Sequence, residues 1–259
     1  MSTEMPPADA DVTEDAILGG RLVLRQPRRG HRFGHDAILL AAAVAAHCGE
    51  RAVELGAGVG AAGLALAHRV AGLDVTLVEL DPTLAALACD NAKHNGLADR
   101  VRVVCLDVTA PADAFAAVGL DAAATDHVLM NPPFNLSRNP SPDRGRRLAH
   151  DADAATLVQW LSAAERLLRP GGAITLIWRA DGLADVLAAL APGLGATSVL
   201  PIHGKPDASA IRIIASARKG GGGALTLRPG LLLADATGKP TAQAEAVLRD
   251  GAALSLARA

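Results

Sequence analysis

The chain has 259 residues, half of them hydrophobic, with no Tyr, three Phe and two Trp, and a formal net charge of −2 at pH 7. That length suits one α/β domain with a small appendage, and a core built from Ala, Leu and Val makes any aromatic outside it informative. Near-neutral charge excludes a partner held by a protein-wide positive field, though it leaves local basic patches open.

The start, "MSTEMPPADADVTEDA", is acidic and proline-bearing, without the basic and apolar runs of a signal peptide. Residues 1 to about 15 are therefore expected to be a disordered tail. Residues 16–48 are expected to form an N-terminal arm and a helix: "ILGGRLVLRQPRRGHR" reads as a short hairpin or extended arm, and "GHDAILLAAAVAAHCG" as a helix. The apolar run 37–46 is too short to span a bilayer. Cys48, Cys89 and Cys105 lack C-x-x-C spacing, so neither a zinc site nor a disulfide framework is indicated. A cytoplasmic protein with no metal and no membrane partner is expected.

From residue 49 to 259 short apolar runs alternate with helical ones. Strands are expected at 51–56, 74–80, 100–107, 127–131, 173–178, 196–203 and 210–218, and helices at 61–70, 82–96, 154–168 and 182–191. This alternation implies an α/β fold with a mainly parallel sheet covered by helices on both faces.

"ELGAGVGAAG" follows the first of these strands and opens a helix, which places Gly56, Gly58 and Gly60 where backbone turns tightly and approaches a ligand. Glu54 precedes them, where a pyrophosphate would be repelled but a cation or hydroxyls would not. Glu79, in "LVELDP", ends the second strand at the spacing of an acid that grips ribose hydroxyls, and Asp107, in "VVCLDV", ends the third, where it can accept from an adenine amine. Three acids at the carboxyl ends of consecutive strands suit S-adenosylmethionine, an adenosine and an amino acid without phosphates. A nicotinamide dinucleotide fits less well, because the loop lacks the third glycine spacing of G-x-G-x-x-G.

The stretch "HVLMNPPFNLS" ends a strand in an amide, two prolines and an aromatic ring. Prolines stop a sheet ladder, so the stop serves something else. Asn131 Oδ1 and the Pro132 carbonyl can each accept one hydrogen of a planar amine such as adenine N6, freeing its lone pair toward a sulfonium methyl. Pro133 stiffens the loop with Pro132, and Phe134 can stack on the base. Two arginine-rich stretches, Arg21, Arg25, Arg28, Arg29 and Arg32 before the glycine loop and Arg138, Arg144, Arg146 and Arg147 after Phe134, are candidates for RNA phosphate contacts or for ordinary solvated loops.

On these residues the chain resembles the Rossmann-like class I S-adenosylmethionine-dependent methyltransferases with an NPP-aromatic motif. More narrowly, through "LGGRLVLRQPRRGHRFGHDAILLAA", "NAKHNGL" and the late "LRPGLLLADATGKPTAQAEAVLRDG", it is similar to the bacterial tRNA adenine-N6 methyltransferases that modify adenosine 37 of a valine tRNA. The resemblance implies a seven-stranded sheet, with Gly56, Gly58 and Gly60 around the methionine part of the donor. It also implies Glu79 on ribose, Asp107 on adenine, residues 131–134 at the target, and Phe33 and Asp36 in a segment closing over the donor. Two alternatives stay open. One is a protein glutamine N5-methyltransferase acting on release factors, a family that more often carries NPPY and a helical N-terminal domain. The other is a non-catalytic RNA-binding protein on a methyltransferase fold.

Overall fold

The computed structural model describes residues 12–29, 32–133 and 144–256, and for 144–153 only the course of the backbone. The described chain opens with an antiparallel hairpin, β1 (Val12–Ile17) and β2 (Leu22–Pro27), whose register pairs Val12 with Pro27 and Ile17 with Leu22. Residues 12–15, expected to be tail, are thus strand: the ladder satisfies their backbone, and their polar side chains lie on partly exposed positions. Residues 1–11 lie outside the described residues. The hairpin is no separate arm, because Leu18, Leu22 and Leu24 share one apolar cluster with the helix α1 (His35–Ala43) and with the main sheet. The core does not divide at residue 48.

Next come β3 (Arg51–Leu55), α2 (Ala61–Arg69), β4 (Asp74–Glu79), α3 (Pro82–His94), β5 (Val101–Cys105), α4 (Ala112–Ala117) and β6 (Thr125–Met130). Then follow α5 (Arg144–Leu167), β7 (Leu168–Arg179), α6 (Leu183–Leu190), β8 (Leu194–His203) and β9 (Ala210–Lys219). Two-residue strands β10 (Thr226–Leu227) and β11 (Leu231–Leu232) and a last helix, α7 (Ala242–Leu248), end the fold. Local chemistry fixes several of these boundaries. Asp81 caps α3 by accepting from the Thr83 and Leu84 N–H groups, with Pro82 in the first turn, and Thr241 caps α7 through the Ala244 N–H.

Helix α1 stops at Ala43, short of the run read as helix to Gly49, β7 starts at Leu168 instead of 173, and β10, β11 and α7 lie where no element is expected; three further departures have a local cause. Helix α5 begins ten residues before the expected 154, because apolar periodicity starts only where the helix meets the core at Leu157 and Leu161. Helix α4 is six residues long and shows too few turns for a period to be read. Strand β5 stops at Cys105, which leaves Asp107 in the following turn.

The main sheet runs β8-β9-β7-β6-β3-β4-β5, with β10 and β11 on the outer side of β8. Strands β7, β6, β3, β4 and β5 are mutually parallel, and β9 lies antiparallel between β7 and β8. Period-two alternation distributes side chains to the two faces: Ala52 and Leu129 join the cluster under α1, α2 and α3, whereas Val53, Leu55, Val128 and Met130 join the one under α4, α5 and α6. The chain order reverses between β3 and β6, and ligands of open parallel sheets bind at the carboxyl ends beside such a reversal. Among the described residues no helix is long and apolar enough to cross a membrane.

Candidate active site

The glycine loop leaves β3 at that reversal. The Gly56 and Ala57 N–H groups both donate to the Val78 carbonyl, at 2.9 Å each, which holds the loop onto β4. Gly56 has φ +70°, where side chains are rarely tolerated, and a Cβ there would stand 2.3 Å from Cη2 of Trp160 on α5. Gly58 has φ +57°, and a Cβ there would meet nothing within 4 Å, so its outer side is open space. Gly60 packs against Leu77 and Leu64.

The three acids differ sharply in surroundings. Glu54 is 4% exposed and its Oε2 accepts from the Gly63 N–H at 2.7 Å, so the carboxyl braces α2 from beneath the loop. Burial pushes its pKa up to about 8, against that hydrogen bond and with added repulsion from Glu79, so Glu54 is neutral at pH 7. Glu54 thus lies beneath the loop rather than on its open side. Glu79 ends β4 and accepts from two backbone donors, the Gly58 N–H on Oε2 at 2.7 Å and the Asp81 N–H on Oε1 at 2.9 Å. Each oxygen retains a lone pair for a hydroxyl. Asp107 is exposed, and its Oδ1 accepts from both the N–H and the hydroxyl of Thr109 at 2.7 Å. Leu80, which follows Glu79, is 62% exposed, and Leu106 is tied to β4 by its N–H on the Glu79 carbonyl.

Strand β6 carries Asn131 one residue past Met130, which is paired with Leu55, so Asn131 stands beside Gly56 across the sheet. Its Oδ1 is buried and has no hydrogen-bond partner among the described residues. Pro132 is buried, Pro133 is exposed, and Phe134 lies outside the described residues. Asp36, in the first turn of α1, is engaged by Arg212 Nε at 2.8 Å. Phe33 just before it is half-buried, with its N–H donating to Gln26 Oε1 at 3.2 Å.

The first arginine cluster is largely structural. Arg21 donates to the Arg249 carbonyl and pairs with Asp250; Arg32 pairs with Asp15 at 2.8 Å and also reaches Thr13 Oγ1 and the Pro27 carbonyl; Arg25 Nε is 3.9 Å from Glu14. Arg28 and Arg29 are exposed at the end of β2. Arg138 lies outside the described residues, and the side chains of Arg144, Arg146 and Arg147 do too. No group of three metal-ligating side chains occurs among the described residues.

The sequence reading missed Trp160 and Asn91. Trp160 is half-buried, with its ring over Gly56; as one of two tryptophans in an aromatic-poor chain, its composition alone marked it out. Asn91 is fully buried on α3 and donates to the Val59 carbonyl in the glycine loop at 3.0 Å. A polar residue inside "NAKHNGL" gave no sign of that reach.

The family model for the methyltransferase small domain matches residues 32–190. A tRNA1(Val) (adenine(37)-N6)-methyltransferase of Porphyromonas gingivalis is 30% identical over 60% of the chain, which spans 61% of that relative's length. Its Bacteroides fragilis counterpart is 27% identical over 71% of the chain and 76% of its own length. Among solved structures, a predicted O-methyltransferase of Agrobacterium tumefaciens superposes with a TM-score of 0.72 at 30% identity, covering 85% of this chain and 98% of its own.

Proposed function

Because the chain belongs to the methyltransferase small domain family, we propose that it is an S-adenosylmethionine-dependent methyltransferase acting on N6 of an adenosine in RNA. The specific substrate in this reading is adenosine 37 of a valine tRNA, the target named for the Porphyromonas and Bacteroides relatives. A cytoplasmic location belongs to this reading.

The observation that carries the reading is the orphaned acceptor on Asn131. A buried oxygen without a hydrogen bond costs about 1–3 kcal/mol, and an NPP turn at the carboxyl edge of a parallel sheet is where such a cost serves a ligand. An exocyclic amine supplies the missing hydrogen. With one hydrogen on Asn131 Oδ1 and the second on the Pro132 carbonyl, the nitrogen is drawn out of conjugation and can attack without a base; as the N–C bond forms, the C–S pair passes to the sulfur, and the proton left on the cationic nitrogen is then lost to water. The same acceptor pair offers nothing to an oxygen nucleophile, which must lose its only proton to a base.

The crevice also fits the donor. The glycine loop has open space at Gly58, Glu79 keeps a lone pair on each oxygen, and Asp107 is accessible. No phosphate-binding cation lies on the loop. When bound, S-adenosylmethionine supplies an electrophilic methyl group. Glu79 then holds the ribose hydroxyls, Asp107 takes the adenine amine, Leu80 and Leu106 pack on the adenine faces, and Phe33 and Asp36 bound the crevice from the α1 side. Phe134 stacks on the target base, which must be unpaired or flipped to be reached.

The test is product identification. The protein is incubated with methyl-labelled donor and, separately, unmodified valine tRNA transcript, a DNA oligonucleotide of the same loop sequence, and a release factor. Label recovered as N6-methyladenosine at position 37 is the expected result. Label on a glutamine side chain instead would transfer the clamp to a protein amide, and failure to bind the donor would leave only an RNA-binding role.

A further inference from the structure

Strand β2 is docked on α3 by two asparagine amides that imitate a neighbouring strand. Asn95 Oδ1 accepts from the Val23 N–H at 2.9 Å, and its Nδ2 donates to the Val23 carbonyl at 2.8 Å. Asn91, one turn earlier, does the same for Arg25: Oδ1 accepts from the N–H at 2.8 Å and Nδ2 donates to the carbonyl at 2.9 Å. The spacing matches, since residues four apart on a helix and two apart on a strand both rise about 6–7 Å.

The two asparagines differ in where the remaining Nδ2 hydrogen goes: that of Asn95 to the Asn91 carbonyl at 2.8 Å within α3, that of Asn91 out of the helix. The Asn91 Nδ2 donates at 3.0 Å to the carbonyl of Val59, the residue between Gly58 and Gly60. The Val59 side chain is gripped as well, in a small apolar cluster with Val12 of β1, Leu84 and Leu87 of α3, and Phe33. A parallel link runs through Gln26, 2% exposed: its Nε2 donates to Asp15 at 2.8 Å while its Oε1 receives the Phe33 N–H. Two walls of the crevice, Val59 in the loop and Phe33 ahead of α1, are therefore held from the same hairpin.

We infer that the β1–β2 hairpin is a positioning element of the donor loop and that Asn91 is the residue coupling the two. Fixing the Val59 carbonyl sets the plane of the Val59–Gly60 peptide and, with it, the direction of the Gly60 N–H, which donates to the Ala57 carbonyl at 2.8 Å and closes the turn in which the Gly58 N–H meets Glu79. The inference rests on the reading of this loop as the donor site, and it distinguishes two neighbouring, chemically identical residues. Asn91 and Asn95 both dock the hairpin; only Asn91 touches the loop.

Asn91→Ala and Asn95→Ala are compared by hydrogen exchange of the unliganded protein and by calorimetric binding of S-adenosylhomocysteine. Both variants should speed exchange in β2. Asn91→Ala alone should also speed exchange at 56–60 and weaken ligand binding by about tenfold or more, the scale of one lost buried hydrogen bond. Asn95→Ala should stay within about threefold of the parent. If Asn91→Ala does not fold, Asn91→Ser, which keeps a small polar group too short to reach Val59, takes its place. Unchanged exchange at 56–60 in the Asn91 variants, or equal weakening by both asparagine substitutions, overturns the coupling. A parent protein that binds no S-adenosylhomocysteine would refute the donor reading separately, and the exchange data would still decide whether Asn91 holds the loop.

Discussion

Replacing Glu54 by Gln tests the electrostatics of the loop most directly. In the unfolded chain Glu54 loses its proton near its ordinary value of 4.5, whereas burial in the folded protein holds the proton until about pH 8. Between those values the unfolded state binds fewer protons, so stability falls as pH rises, by about 1.4 kcal/mol per pH unit. Over that whole span the loss is bounded at about 5 kcal/mol. Gln keeps a carbonyl for the Gly63 N–H and cannot ionise. In urea titrations at pH 5, 6, 7 and 8, Glu54→Gln should match the parent near pH 5 and exceed it increasingly up to pH 8, where the gap levels off. A gap that stays flat across this range would show that Glu54 ionises alike in both states. Its carboxylate would then be charged beneath the loop in the folded protein.

Asn131→Ala removes the orphaned acceptor; it should lower kcat by about 10²–10³-fold while calorimetric affinity for S-adenosylhomocysteine stays within about twofold, and parent-like turnover would refute the clamp. Gly56→Ala and Gly58→Ala each cost about 1–3 kcal/mol for a side chain at positive φ, but only the first must also displace Trp160. Denaturation should therefore rank Gly56→Ala as the more damaging, with part of the excess recovered in the Gly56→Ala/Trp160→Ala double variant; additive losses would dissociate the ring from the loop. Trp178 is 1% exposed and Trp160 half-buried beside Gly56, so S-adenosylhomocysteine should change tryptophan emission in the parent and not in Trp160→Phe. The same change in both proteins would place Trp160 outside the ligand's reach.

How far the sequence could be read depended on the range of the interactions involved. The alternation of strand and helix, the glycine loop and the ends of β4 and β6 are local patterns, and Gly56, Glu79 and Asn131 do meet at one edge of the sheet. Long-range partners were not legible. Nothing in "TEDA" tells that Asp15 will take Arg32 and Gln26, which turns an apparent tail into a strand. The first arginine cluster left phosphate contact and solvated loop equally open because the partners of Arg32, Arg25 and Arg21, namely Asp15, Glu14 and Asp250, are supplied by other segments. Asn91 shows the same limit from the opposite side: its three bonds reach residues 32 and 66 positions away.

The acids show why position at a strand end does not settle a role. Glu54, Glu79 and Asp107 all stand at or just past the carboxyl ends of parallel strands, yet they run from enclosed to exposed in the order the sheet widens away from the reversal. The enclosed one is pushed toward its neutral form and supports backbone, and the middle one accepts from the Gly58 and Asp81 N–H groups. The exposed one is held in a turn by Thr109. Had all three been ionised, a donor bearing one sulfonium charge would leave a surplus of negative charge in a partly dry site. With Glu54 protonated, the carboxylates left are Glu79 and Asp107, the two that the proposed donor would meet with hydroxyls and an amine, and the proposed clamp at Asn131 is a neutral amide with no charge to neutralise.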